Sequence, residues 1–554
     1  MAKYSLGIDY GTLSGRALLV DVSDGREIAC RAYEYPHGVI DDTLAGNKLP
    51  MDTALQDPRD YIEVLKNTVP QVISDGGVAP ADIIGIGIDF TSCSPMPVYK
   101  DGTPLCCVPK WENDRNAYVK LWKHHAAQDK ADRLNAVAAE RGEKWLDTYG
   151  GKVSSEWMIP KLWQTLSEAP ELYDDMYYFI EAGDWLVWRL CGHLTRNSTS
   201  AGYKTLWSKK DGYPSPEFFA ALDPRLADCV STKLAGPVMT MGQLAGTLTS
   251  EMAELTGLCA GTPVAVCNVD AHVTMPAFNI TKAGQMQAII GTSTCHMLID
   301  SEYHMVKGIC GTVEDGMLPG MFGYEAGQGC VGDHFAWFVN NCLPKSYADE
   351  AAERGISPHV LLTEKAQALK PGESGLIALD WWNGNRSILV DSQLSGVIAG
   401  MTLQTKPEEI YRALIEATAF GTREIIENYR RSGVSVSSFT ASGGIPNKNP
   451  MLTQIYADVL RLPVRVVKST QGPALGSAIF GAVAAGSGRG GYDDIFSAGA
   501  AMGSTEGKTY YPDEKASKVY DMLYAEYHAL HDRYGREDRL LKNLRQIARD
   551  AKGV

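Results

Sequence analysis

Two segments, half a chain apart, place glycine, threonine and serine between apolar strands. The first is Gly7-Ile8-Asp9-Tyr10-Gly11-Thr12-Leu13-Ser14-Gly15-Arg16, followed by Ala-Leu-Leu-Val-Asp; the second is Ala288-Ile289-Ile290-Gly291-Thr292-Ser293-Thr294-Cys295-His296, followed by Met-Leu-Ile-Asp. In each, an apolar strand ends in a Gly-Thr turn, a Ser or Thr follows two residues later, and a second apolar strand returns. Small residues in such a turn let backbone N–H groups and hydroxyls approach an anion closely. One hairpin of this kind is weak evidence. Two, one in each half, predict two similar domains closing on a single polyphosphate.

Four further groups of residues could act beside that anion. Asp9 ends a buried strand next to the first turn, where a carboxylate can hold Mg²⁺, directly or through a water, against phosphate; its plain alternative is a cap on the turn. Asp270 closes the apolar strand Pro263–Asn268, at the sheet edge where open α/β sheets take ligands. In phosphoryl transfer to an alcohol it could accept the hydroxyl proton; the alternative is a cap on the following helix. Gly443-Gly444 ends another strand, and Asn449-Pro450 opens a helix soon after, so the chain could pass flat against a nucleotide or simply turn tightly. The loop Gly323-Tyr324-Glu325-Ala326-Gly327-Gln328-Gly329 offers an acid and an amide between glycines, suited to sugar hydroxyls or to a solvated turn.

The elements that must position these residues alternate between strand and helix. Residues 4–34 read as a meander of two or three strands with a turn at Ser23-Asp24-Gly25, and residues 58–74 as a helix burying Ile62, Leu65, Val69, Val72 and Ile73. Ile83–Phe90 is a near-continuous apolar run, expected of a strand covered on both faces. Residues 115–190 are mostly helical in pattern. The halves are expected to meet near Thr281-Lys282-Ala283-Gly284. A helix over 407–431, a strand over 438–441, a helix over 451–460 and an amphipathic block over 513–550 complete the second half. The pattern predicts an α/β protein with mixed sheets, residues 1–282 forming one domain and 283–554 the other.

Several eye-catching patterns lack the context their chemistry needs. Gly486-Ser-Gly488-Arg-Gly-Gly491 follows a helix instead of opening one, and Gly503–Thr509 has a glycine one residue too close for a phosphate loop. Both read as surface loops. His124-His125 are neighbours that cannot share a helix face, so a solvent-facing or hydrogen-bonding role is expected over a metal site. The twelve cysteines contain no Cys-x-x-Cys pair, and even adjacent Cys106-Cys107 read as reduced packing thiols. The 554 residues are too many for one core. With 52 basic and 66 acidic residues the net charge is −14, which argues against a nucleic-acid or anionic-membrane partner. The uncharged run Gln471–Gly488 contains Pro473 and many small residues, predicting a buried helix and not a membrane span. The opening residues are already a strand, so no leader is read and a cytoplasmic protein is expected.

Taken together, the motifs resemble the FGGY carbohydrate kinases of the actin, hexokinase and heat-shock chaperone superfamily. The resemblance spans nearly the whole chain. Its family-level markers are the two Gly-Thr hairpins, Asp270 and Gly443-Gly444. Within the family the chain is most similar to the L-ribulokinases, through GIDYGTLSGRALLVD, Leu121-Trp122-Lys123-His124-His125, the segment Gly151–Lys161 and Glu325-Ala-Gly-Gln328. This resemblance implies two ribonuclease-H-like domains with a cleft between them, ATP and Mg²⁺ as cofactors, and phosphorylation of L-ribulose to L-ribulose 5-phosphate in arabinose catabolism. It makes Asp270 the catalytic base. Lys204, Glu325 and the backbone at Cys93 become sugar-binding; Gly11, Thr12, Gly291, Thr292, Ser293, Gly443, Gly444 and Asn447 contact nucleotide and phosphates, with Asp9 at the metal. A homodimer is expected. The alternatives are a kinase of D-ribulose, ribitol or D-xylulose, or, from another class, an actin- or chaperone-like ATP switch.

Overall fold

The computed structural model describes residues 2–552. Two seven-stranded sheets organise it. The first contains β1 (Tyr4–Tyr10), β2 (Ser14–Asp21), β3 (Glu27–Glu34), β4 (Ile83–Phe90), β5 (Leu244–Thr247), β6 (Pro263–Ala265) and β7 (Asn268–Val269), in the order β5-β6-β4-β1-β2-β3 with β7 beside β4. The second contains β8 (Gln285–Ile290), β9 (Thr294–Asp300), β10 (Gly311–Glu314), β11 (Phe322–Gln328), β12 (Ser438–Ser442), β13 (Val464–Val467) and β14 (Gly507–Tyr510), in the order β10-β11-β9-β8-β12-β13-β14. Each has the same heart. A Gly-Thr hairpin pairs antiparallel, a third strand extends that meander, and a later strand adds parallel to the first: β4 to β1 and β12 to β8.

All eight residues of β4 are buried, as its apolar run requires. Its covering element comes from far away in sequence. The helix α1 (Gly472–Ala485), read above as a buried helix, lies on β1 and β4 of the first sheet although it belongs to the second half of the chain. The approach is backbone to backbone. A Cβ on Gly7 would lie 1.8 Å from the Ala474 carbonyl oxygen, and one on Gly87 1.8 Å from that of Ser477. Ser5 Oγ donates to the Ala478 carbonyl at 2.6 Å. Chain continuity and packing therefore divide the molecule differently: a split near residue 282 separates the two sheets but assigns α1 to the sheet it does not cover. Gly7→Ala is expected to cost about 3 kcal/mol, the upper end of overpacking penalties, because the obstacle is main chain that cannot rotate away. An unfolding midpoint equal to the parent's in calorimetry would show that α1 is not so tightly seated.

The sheets are joined by one continuous core in which Leu18, Val20 and Ile84 of the first connect through Val273, Phe278 and Leu475 to Met297, Ile299 and Val313 of the second. Other details differ from the sequence reading. Residues 507–510 of the supposed surface loop form edge strand β14, and the 513–550 block is two helices, Glu514–Asp532 and Leu540–Lys552, separated by a π turn at Arg533–Glu537. His124 is buried, accepting from the Ala54 N–H and pairing with Gln164, the hydrogen-bonding role of the two anticipated for it.

Candidate active site

The parallel pairing of β1 with β4 sets Asp9 directly beside Asp89. Both strands end in Gly-Ile-Asp-aromatic: Gly7-Ile8-Asp9-Tyr10 and Gly87-Ile88-Asp89-Phe90. Sequence reasoning passed over Asp89, although this internal repeat was the signal that could have found it. Asp89 is fully buried; Ser477 Oγ of α1 donates to its Oδ2 at 2.6 Å, and its Oδ1 has no hydrogen-bond partner among the described residues. Arg16 Nε lies 3.2 Å from Asp9 Oδ2. Burial, then the charges of Asp9 and Asp270, hold the Asp89 carboxyl far above the carboxylate range; burial raises Asp9 too, opposed by Arg16.

Asp270 follows β7, and its backbone N–H donates to the Phe90 carbonyl, which fixes it at the end of β4. Its Oδ1 accepts from the adjacent Ala271 N–H at 2.7 Å. A helix cap would instead accept from an N–H two or three residues on. Burial, and next the Asp9 charge, push the Asp270 carboxyl up to about 7, the range useful to a general base at neutral pH.

A second polar cluster spans the lobes. Lys204 ends the helix Ser198–Lys204 of the first lobe, and its Nζ lies 3.2 Å from Glu325 Oε1 on β11 of the second. Glu325 also meets His272 Nε2 at 3.0 Å and Arg386 Nη2 at 3.3 Å. Burial would raise the Glu325 carboxyl, but Lys204, His272 and Arg386 together hold it well below its usual value. Lys204 is held up in turn by Glu325 against the effect of its own burial. Lys204 is thus a buried, paired lysine, and Glu325 is no solvated turn. His272 and Arg386 were not anticipated: His272 sits two residues past Asp270, and Arg386 lies in an irregular segment with no motif around it.

The remaining candidates occupy turns around these clusters. Gly11 N–H closes the first hairpin onto Ser14, while Thr12 Oγ1 accepts from Trp122 Nε1 at 3.1 Å, which brings the Leu121–His125 motif to that turn. In the second hairpin the Gly291 and Thr292 carbonyls accept from Gly332 and Val331, leaving the hairpin exposed at its Thr292 tip. Gly443 adopts φ 101°, and a Cβ there would lie 2.4 Å from the Ile290 carbonyl, so glycine is required where the chain crosses the base of that hairpin. Gly444 opens a short helix, Gly444–Lys448, before Pro450 begins the next, and Asn449 caps that one through Leu452 N–H. Asn447 donates to the Gly443 and Val467 carbonyls, so its amide nitrogen holds the turn in place. Cys93 is buried with φ 59°, and its carbonyl accepts from Lys161 Nζ at 2.7 Å. The fold therefore gathers Asp9, Asp89 and Asp270 at one point, Lys204 and Glu325 at another, and Gly291 with Gly443 at a third; Lys161 ties the Cys93 carbonyl to those of Lys120 and Leu121.

This arrangement has known relatives. Residues 4–276 match the N-terminal domain of the FGGY family of carbohydrate kinases, and residues 286–485 match its C-terminal domain. The chain belongs to this family. It is 55% identical over 537 residues to a ribulokinase of Bacillus licheniformis, covering 97% of both chains, and 53% identical to a ribulokinase of Geobacillus thermodenitrificans, covering 99% of this chain and 98% of that one. A ligand-bound xylulose kinase from Lactobacillus acidophilus superimposes with a TM-score of 0.79 at 17% identity, over 97% of this chain and 99% of that one, a likeness of fold. The two-lobed FGGY fold with mixed sheets thus agrees with the α/β expectation. No described helix is long and apolar enough to cross a membrane.

Proposed function

We propose that this FGGY chain is a ribulokinase that transfers the γ-phosphoryl group of ATP to L-ribulose, giving L-ribulose 5-phosphate and ADP in arabinose catabolism. Full-length identity above 50% to two ribulokinases carries the substrate class. The raised carboxyl of Asp270, near enough to Lys204 and Glu325 to feel both charges, supports the chemistry. In this reading residues 1–282 carry the base and most sugar contacts, and residues 283–554 hold the nucleotide. Lys204, Glu325 and the Cys93 backbone hold the sugar; Gly11, Thr12 and Gly291–Ser293 face the phosphates; Gly443, Gly444 and Asn447 line the nucleotide. The sugar hydroxyl oxygen attacks the γ-phosphorus, the bond to the β-bridging oxygen breaks, and the hydroxyl proton passes to an Asp270 carboxylate oxygen. The transition state is loose, so alignment and charge neutralisation do most of the work. Lobe closure would expel the water that otherwise competes as acceptor.

Mg²⁺ belongs to the same reading. The carboxyls of Asp9, Asp89 and Asp270 converge there, each raised by burial, and one buried Asp89 oxygen has no partner among the described residues; this oxygen-donor set fits a divalent cation at Asp9. Bound there, it would neutralise phosphate charge. Asp9→Asn is expected to raise the Mg²⁺ concentration needed for half-maximal turnover while leaving calorimetric binding of free sugar unchanged; an equal loss of sugar affinity would move Asp9 out of the phosphate region. A pH profile supplies another check. With Asp270 at about 7, kcat/KM for the sugar should fall about tenfold per pH unit on the acid side, because the proton occupies the group that must accept one. A flat acid limb would remove Asp270 from that role.

A homodimer in the cytoplasm completes the proposal. Leu540, Leu544 and Ile547 stand exposed on one stripe of the last helix, as a surface meeting a second copy would, and sedimentation velocity decides it. The substrate assignment is tested by ATP turnover against L-ribulose, D-ribulose, D-xylulose and ribitol. L-ribulose is expected to be preferred, and turnover indifferent to any of the four would return the chain to the ATP-switch reading.

A further inference from the structure

Away from the proposed site, two helices bring together side chains that the kinase reading leaves unused. His528 and His531 project from the helix Glu514–Asp532, and Glu424 from the long helix Pro407–Arg431. One donor atom from each lies within 4.8 Å of the other two, and among the described residues this is the one place where three histidine, cysteine or carboxylate donors converge so closely. His531 is 1% exposed. Its Nδ1 lies 3.1 Å from Asp532 Oδ1. A carboxylate can only accept there, so Nδ1 carries the proton and Nε2 presents a lone pair. That buried Nε2 has no partner among the described residues, and His531 and Glu424 line a common cavity with room for about one water-sized sphere.

We propose that Glu424, His528 and His531 form a binding site for a divalent transition metal of the zinc type, which clamps the helix Glu514–Asp532 onto the helix Pro407–Arg431. Two imidazoles and a carboxylate are the donor set such ions favour, whereas Mg²⁺ prefers oxygen and its own waters. The outer partners are already in place. Asp532 holds His531 through Nδ1 and lies 3.7 Å from His528 Nε2, the carboxylate–histidine arrangement that orients metal-bound imidazoles. His528 Nδ1 now lies 3.1 Å from Glu424 Oε2; with its proton moved to Nε2, facing Asp532, the Nδ1 lone pair becomes free for the cation. Ligand bonds of about 2 Å require donors roughly 3.4 Å apart, so side-chain rotations of about 1 Å close the site, with a water as fourth ligand. Arg431 and Tyr524 keep their bonds to the Glu424 carboxylate and orient it.

The test uses the full-length protein with Mg²⁺ in excess, so that the phosphate region does not compete. Titration with Zn²⁺ and Co²⁺ is expected to show one bound equivalent, a visible Co²⁺ spectrum of low-coordinate nitrogen–oxygen type, and a rise in unfolding temperature. His528→Ala changes a half-exposed residue and should fold; it should weaken binding at least a hundredfold and abolish the temperature rise. Asp532→Asn should weaken it about 10–100-fold. Asp270→Asn should bind the metal as the parent does, which separates this site from the kinase chemistry. Absence of a bound equivalent, undiminished binding in His528→Ala, or a crystal soaked in Co²⁺ that shows only a water in the cavity would each overturn the proposal.

Discussion

Asp270→Asn is expected to lower sugar-dependent ADP release roughly a hundred- to ten-thousand-fold, the usual loss when a general base is removed. The protein should remain folded and should still bind ATP. The structure makes the substitution nearly isosteric in its contacts: Asp270 Oδ1 takes one hydrogen bond, from Ala271 N–H, and an asparagine carbonyl can keep it. What disappears is the carboxylate that burial and the Asp9 charge have raised toward neutrality. The competing reading, a turn residue, predicts the opposite, since asparagine replaces aspartate well in caps and turns. Turnover and thermal stability measured together on this one variant separate the two. Near-normal turnover in a stable protein would leave Asp270 as a turn residue.

The second large effect is an asymmetry within the interlobe ion cluster. Glu325→Ala leaves Lys204, Arg386 and His272 facing one another without their anion, whereas Lys204→Ala leaves Glu325 still bound to His272 and Arg386. Stranding a buried charge costs about 3–5 kcal/mol, so Glu325→Ala should be clearly less stable than Lys204→Ala. Both should raise the Michaelis constant for sugar more than that for ATP, because each leaves a buried substrate oxygen or hydroxyl unmatched, about 1–3 kcal/mol. Thermal unfolding ranks the stabilities, and initial rates at varied sugar and ATP give the constants. A sugar constant unchanged in both variants would place the sugar elsewhere, and Lys204→Ala proving the less stable would show that Glu325 is not the hub.

Much of this architecture was legible because it is local. A strand, a Gly-Thr turn and a returning strand need only neighbours in sequence, and so the two hairpins, the helix at 407–431 and the cap at Asn449 could be read directly. Asp270 was legible for the same reason, as a carboxylate at a strand's end. Asp89 lay in an equally readable position. It was missed because its meaning comes from register: only the parallel pairing of β4 with β1 turns two copies of Gly-Ile-Asp into adjacent carboxylates.

By itself, the sequence determined the strand and turn grammar, the duplication of the Gly-Thr hairpin and the family resemblance, since each rests on residue type and short spacing. Only the tertiary structure decided that α1 crosses from the second half to cover β1 and β4, because the glycines that receive it are complementary to a backbone hundreds of residues away. It also decided that Lys204 and Glu325 meet between the lobes with His272 and Arg386. Buried charges need partners, but sequence spacing cannot name a partner from another lobe; the packing of two sheets on one core does so by bringing their edges together.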